Sequence, residues 1–240
     1  GIGRELDTRV SGIPVILYNA LGFTVTDIAE IELDLPKAPK GITVYDEKGK
    51  KVSAQLISYT DGKARILVEA TVPATGYVVY DIRTSGTGAS NVSRNVNTLE
   101  NSLYEITLDK NGDIVSLTDK KNGKELVKAG KAIRLALFTQ NKSYNWPAWE
   151  VLKETTDRTP VSITDDVKIT LVEDGTLRKS LCVEKRHGES VFRQYIRLYE
   201  GSRAERIDFY NEIDWQSTNA LLKAEFPLNI ENEKATYDLG

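Results

Sequence analysis

Apolar and polar residues alternate at period two along several stretches of the chain. Ile207, Phe209 and Ile213 fall on one side of such a stretch, and Asp208, Tyr210, Glu212 and Asp214 on the other. Val167, Ile169 and Leu171 alternate with Lys168 and Thr170, and Phe192, Ile196 and Leu198 with Arg193, Tyr195, Arg197 and Tyr199. Leu222, Ala224 and Phe226 alternate with Lys223 and Glu225. Period two gives a strand one dry and one wet face, so each stretch predicts a half-buried β-strand. Turn signals fall between the strands. Asn111-Gly112 separates Tyr104 to Leu108 from Ile114 to Leu117, and Asn-Gly tolerates the positive φ angles of a type I′ hairpin. Asn122-Gly123, Asp61-Gly62 and Asp174-Gly175 repeat the signal. No long stretch keeps a helical period, and short helical turns are expected only around Lys124 to Lys131. The fold class is all-β, built as sandwiches.

Composition agrees with this reading. The chain is rich in Val, Ile and Thr, with 11 Tyr, and branched and aromatic side chains suit a pleated surface. Its 240 residues correspond to roughly one or two domains. Residues 84–98, TSGTGASNVSRNVNT, hold little to bury and read as a linker. They divide the chain into a domain over 1–83 and another over 99–240. With 40% hydrophobic and 28% charged residues this is an ordinary globular composition. A net charge of −3 supplies no basic excess to neutralise phosphates, which argues against a nucleic-acid partner. Apolar runs last only a few residues, far short of the roughly 20 of a membrane-spanning helix. There is no methionine and no targeting segment, so the chain reads as a piece of something larger, and its compartment is not legible.

The chemistry-bearing residues are few. The single histidine, His187, sits before Gly188 between two strand-like runs and reads as a turn residue. Cys182 lies between Leu181 and Val183 and reads as a buried structural thiol. One Cys and one His do not make a zinc site, which needs three or four converging ligands. No nucleophile elbow and no Gly-rich phosphate loop is present. Paired carboxylates hydrolyse glycosides, but 35 acidic residues leave the choice of pair open. The one concentrated signal is Tyr144-Asn145-Trp146-Pro147-Ala148-Trp149-Glu150, which holds two of the three tryptophans. Pro147 argues against a central strand. Aromatic faces stack on the apolar faces of sugars and a carboxylate accepts from their hydroxyls, so Trp146, Trp149 and Glu150 are the candidate substrate-binding residues. The competing reading is a hydrophobic plug under a long loop. Trp215, at the end of an alternating strand, reads as packing.

These residues resemble a known family. Arg4-Glu5-Leu6-Asp7-Thr8-Arg9, Gly12-Ile13-Pro14-Val15 and Tyr18-Asn19-Ala20-Leu21-Gly22-Phe23 resemble the non-catalytic part of glycoside hydrolase family 38, the zinc-dependent α-mannosidases. Ala20 and Phe23 depart from the family's NPLxW. Val72-Pro73-Ala74-Thr75-Gly76-Tyr77 is similar to its VPALGY, with Thr75 a departure. Leu99-Glu100-Asn101, Tyr104, Gly112 and Ser116-Leu117-Thr118-Asp119-Lys120-Lys121 are similar to LEN…Y…G…SLxDK. Arg197-Leu198-Tyr199, Gly201-Ser202-Arg203, Ile213-Asp214-Trp215 and Leu221-Leu222-Lys223 to Phe226-Pro227 continue the resemblance. Trp146 to Glu150 resembles the family's WDAWD, with Pro147 in place of its first acid.

The resemblance implies a small β-sandwich followed by the first part of a supersandwich resembling galactose mutarotase, cut short near Tyr237. It implies that the zinc ligands and the nucleophilic aspartate belong to an N-terminal α/β catalytic domain of the same polypeptide. This chain would then hold no cofactor and no catalytic residue. Its role would be to support that domain and complete its cleft for a mannose-containing glycan, hydrolysed through a covalent mannosyl intermediate. The alternative is a stand-alone carbohydrate-binding or structural β-sandwich module. A mutarotase would need a catalytic histidine and acid, which His187 in a turn does not supply.

Overall fold

The computed structural model describes residues 6–146, 149–234 and 236. Arg4, Glu5, Pro147, Ala148 and Tyr237 lie outside the described residues. The chain is nearly all β, with antiparallel strand pairs. The strands are β1 (Ile13–Asn19), β2 (Val25–Asp34), β3 (Ile42–Tyr45), β4 (Lys51–Val52), β5 (Ala54–Thr60), β6 (Lys63–Val72) and β7 (Gly76–Thr87). They continue as β8 (Asn91–Arg94), β9 (Thr98–Glu100), β10 (Tyr104–Leu108), β11 (Ile114–Asp119), β12 (Lys124–Glu125) and β13 (Arg134–Thr139). After a single-turn helix α1 (Lys153–Thr156) come β14 (Val161–Ser162), β15 (Asp165–Asp174), β16 (Arg178–His187), β17 (Ser190–Tyr199), β18 (Ile207–Asp214) and β19 (Ala220–Glu225). By contacts the chain forms two compact units. One holds the chain up to Arg94 with Leu171–Leu181 and Arg197–Asp208; the other holds Asn95–Thr170, Cys182–Ile196 and the chain from Phe209 on.

In the first unit the sheets β1-β7-β3-β4 and β2-β6-β5 enclose one core. Strand β6 shows why. Ala64, Ile66, Val68, Ala70 and Val72 share one face and are buried against Val44, Val78, Tyr80 and Ile82 of the other sheet. The opposite face of β2-β6-β5 is not left to water. Ile28, Ile57 and Leu67 pack there with Leu177 and Tyr199, from the two distant segments that join this unit.

That second interface is unusually polar for its burial. Arg178, its side chain 2% exposed, makes a two-pronged pair with Glu173 at 2.7 and 2.9 Å and reaches Glu30 at 2.8 Å. Gln55 donates to Ser90 Oγ (2.8 Å) and the Arg178 carbonyl (3.1 Å) and accepts from the Leu177 and Arg178 amides, both at 2.8 Å. Burial alone would raise the Glu30 carboxyl, but the Arg178 and Arg65 guanidiniums outweigh it and hold Glu30 below its ordinary value. Arg203 makes a two-pronged pair with Asp27 that likewise holds that carboxyl down.

The second unit contains the sheets β12-β11-β10-β9 and β14-β13-β19. Leu135 and Leu137 of β13 pack with Ile163, Phe192 and Leu222. The remaining sheet of the molecule has the order β18-β17-β16-β15-β8.

Several expectations change in detail. Asp61-Gly62 forms the type I′ turn, with φ angles of +52° and +81°. At Asn111-Gly112 only Gly112 has positive φ, so the type I′ expectation fails there. The turn runs instead from Asp109 to Asp113, because one Asp109 carboxylate oxygen accepts from the amides of Asn111 (2.9 Å) and Asp113 (3.0 Å). The helical turn expected near Lys124 to Lys131 is absent: β12 pairs with β11, and Val127 bridges to Leu228. Helical turns occur instead at α1 and at Gly201–Arg203. Residues 84–98, polar as they are, carry the end of β7, the whole of β8 and the start of β9. Backbone pairing needs no apolar side chain, and β8 is an edge strand against β15.

Candidate functional site

The aromatic segment leaves β13 at Gln140, whose φ of +63° turns the chain out of the strand. Asn141 anchors the loop base by donating its amide to the Asn219 carbonyl at 2.6 Å. Ser143 then organises the loop. Its hydroxyl accepts from the amides of Trp146 (2.8 Å) and Asn145 (3.3 Å) and donates to the Glu150 carboxylate. The Trp146 carbonyl accepts from the amides of Trp149 and Glu150, both at 2.9 Å.

These local bonds hold the described ends of the loop, and its rings are exposed. Trp149 is 88% exposed, Tyr144 80% and Trp146 61%. A hydrophobic plug would bury these rings, and within this chain they are exposed. Glu150 is half-buried, its carboxylate held beside the loop by Ser143. The structure thus brings Trp146, Trp149 and Glu150 together on one small loop that presents apolar faces outward. Trp215 packs its ring edge-on against Phe192 at 6.2 Å.

The other chemistry-bearing groups do not converge. Half-buried His187 ends β16 at the hairpin turn, where Gly188 has positive φ. Cys182 is half-buried, and burial pushes its thiol up, away from a reactive thiolate. It neighbours Tyr195, whose phenol burial and nearby negative groups push up to about 12. Among the described residues no group of three or more His, Cys, Asp and Glu side chains is arranged to hold a metal ion. No described helix is long and apolar enough to cross a membrane.

Sequence reasoning missed an open cleft of about 1050 Å³ in the second unit, and none of its described lining residues belongs to the aromatic loop. The Asp109–Asp113 turn and the β13–β19 pair line it. Arg134 donates to Glu225 at 2.9 Å and to Ser162 Oγ at 3.1 Å. At one wall the buried Asp113 accepts from the buried Lys185. Burial raises the Asp113 carboxyl in spite of that lysine. A signal existed: Lys185 continues the buried register of Leu181 and Val183, where an apolar residue is the rule.

Comparison with known proteins adds to this geometry. The profile of the glycosyl hydrolases family 38 C-terminal domain matches residues 99–240. Alpha-mannosidase G of Dictyostelium discoideum is 25% identical over 249 residues, covering 94% of this chain and 21% of that protein. Alpha-mannosidase 2C1 of Mus musculus is 24% identical over 210 residues, covering 84% of this chain and 20% of that protein. The human protein of the same name is 24% identical over 143 residues, 59% of this chain. The chain spans about a fifth of the length of the first two of these relatives.

Proposed function

Because the chain belongs to glycosyl hydrolase family 38, carrying that family's C-terminal domain over residues 99–240, we propose that it is the β-rich portion of a zinc-dependent, retaining α-mannosidase. In this reading it supports a catalytic domain elsewhere in the same polypeptide and helps to wall the cleft that receives a mannose-containing glycan. The sheets of the second unit are then the first part of a mutarotase-like supersandwich.

The observation that carries the reading is the exposure of Trp146 and Trp149 on a loop closed by Ser143. Two large indole faces turned to solvent cost hydration free energy unless something covers them. A sugar ring is a suitable cover, because its C–H faces stack on aromatic rings while a neighbouring carboxylate such as Glu150 accepts from its hydroxyls. The described ends of the loop are already held, since the Trp146 amide donates to Ser143 Oγ and the Trp149 and Glu150 amides donate to the Trp146 carbonyl.

The family's zinc does not fit the described residues of this chain. The single His187 ends a hairpin strand and the single Cys182 carries a thiol raised by burial. Among the described residues neither joins a set of ligands. This reading leaves the metal and the nucleophile to the catalytic domain, and the chemical step is not routed through this chain. An activated aryl α-mannoside, offered separately to the 240-residue chain and to the longer polypeptide that carries it, tests the reading. The longer polypeptide should turn it over and the chain alone should not. Zinc-dependent turnover by the chain, or none by the longer polypeptide, would overturn it.

A further inference from the structure

We propose that the cleft lined by the Asp109–Asp113 turn and the β13–β19 pair binds a neutral oligosaccharide. The polyol chemistry is argued from the cleft alone; that the sugar is mannose rests on the function proposed above.

Charge balance points to a neutral ligand. Asp109, Asp113 and Glu225 line the cleft together with Lys131, Arg134 and Lys223, so three carboxylates face three cations. Arg134 is matched to Glu225 at 2.9 Å, and Asp113 to Lys185, a fourth cation beside the lining. The small net positive charge that results does not suit a metal ion, and with a carboxylate beside each cation pair it is a weak attraction for a phosphate. It offers many donors and acceptors at fixed positions, and a sugar hydroxyl both donates and accepts.

The apolar part of the cleft is equally suited. Phe226 is 49% exposed, and its ring is steadied edge-on by Phe209, at 5.5 Å and 82°. It stands beside Pro227 at the cleft wall, an apolar face for the C–H side of a sugar ring. The wall formed by the Asp109–Asp113 turn is stiff. The Asp109 carboxylate closes its own turn, and a side chain at Gly112 would meet Val183 at 2.3 Å. Charged groups held this way lose little freedom when a ligand enters. About 1050 Å³ of open volume accommodates more than one sugar residue.

Calorimetric titration of the full chain with α-linked mannotetraose, cellotetraose and inorganic phosphate tests the proposal. Mannotetraose should bind. In the Trp149→Ala background, which removes any contribution of the aromatic loop, Phe226→Ala should weaken it by about five- to tenfold, and Phe226→Tyr should retain it. Circular dichroism confirms that each variant is folded. Binding of cellotetraose but not mannotetraose, with the same dependence on Phe226, supports the cleft as a glycan site and removes mannose as its sugar. Phosphate binding more tightly than either sugar, sugar binding indifferent to Phe226→Ala, or no sugar binding to the folded chain would each overturn the proposal.

Discussion

Replacing Gln55 by Leu should destabilise the first unit far more than the loss of one side-chain amide suggests. The amide is 3% exposed and makes four hydrogen bonds, two of them accepted from the backbone N–H groups of Leu177 and Arg178. Leucine fills similar space, so the cavity contribution is small, but it leaves both N–H groups without that acceptor. Each buried orphan costs about 1–3 kcal/mol, which gives a loss of about 2–6 kcal/mol. The site cannot relax easily, because Gly175 packs so closely that a Cβ there would lie 2.0 Å from the Gln55 amide carbon. Ser90→Ala is the control. It removes one hydroxyl partner and leaves the Gln55 amide donating to the Arg178 carbonyl, so it should cost about 1 kcal/mol or less. Urea unfolding followed by circular dichroism measures both. The Gln55→Leu midpoint should fall by roughly 1 M or more at unchanged slope. A loss below about 0.5 kcal/mol, or one no larger than that of Ser90→Ala, would refute the reasoning from orphaned backbone groups.

Two further outcomes follow from the same geometry. Asp27 and Glu30 have folded pKa values below their unfolded ones, so their contribution is present above about pH 4.5 and is lost as pH falls through the folded values. Asp113 is raised and acts with the opposite sign, gaining stability as pH falls. Asp27→Asn with Glu30→Gln should therefore flatten the loss of urea midpoint between pH 5 and pH 3, and an unchanged slope would contradict the assignment. Gly112→Ala meets both a φ of +70° and Val183 at 2.3 Å, and should cost about 2–4 kcal/mol by denaturant unfolding. Gly123→Ala, at φ +62° with open space around it, should cost only about 1–2 kcal/mol.

What was legible in the sequence is what local physics decides. The alternation of Phe192, Ile196 and Leu198 places all three in the buried core, and Asp61-Gly62 makes the expected turn. The exposure of the aromatic loop was half legible: Pro147 argued against a strand, but only the hydrogen bonds of Ser143 show that the rings point outward. Non-local pairing was not legible. Nothing near Leu177 or Tyr199 announces that they pack on the far face of β2-β6-β5, and nothing in TSGTGASNVSRNVNT announces β8. Ile213 shows a limit of pattern reading. It lies in the dry register of its strand yet is 41% exposed, because β18 is at the edge of its sheet. The cleft was missed because its charges come from segments more than 100 residues apart, Asp113 and Glu225 among them.

The central claim is that the aromatic loop faces glycan rather than a packed interior. It is tested most directly by measuring kcat/KM toward an α-mannoside glycan and thermal stability together, for Trp149→Ala in the longer polypeptide. With the Trp149 ring 88% exposed in this chain, its removal should leave the melting temperature nearly unchanged. Loss of a stacking face at the substrate should lower kcat/KM by about tenfold or more, about 1.4 kcal/mol. A buried tryptophan behaves the other way, costing about 3–5 kcal/mol of stability when truncated. A large fall in melting temperature with normal kinetics in the surviving enzyme would contradict the account.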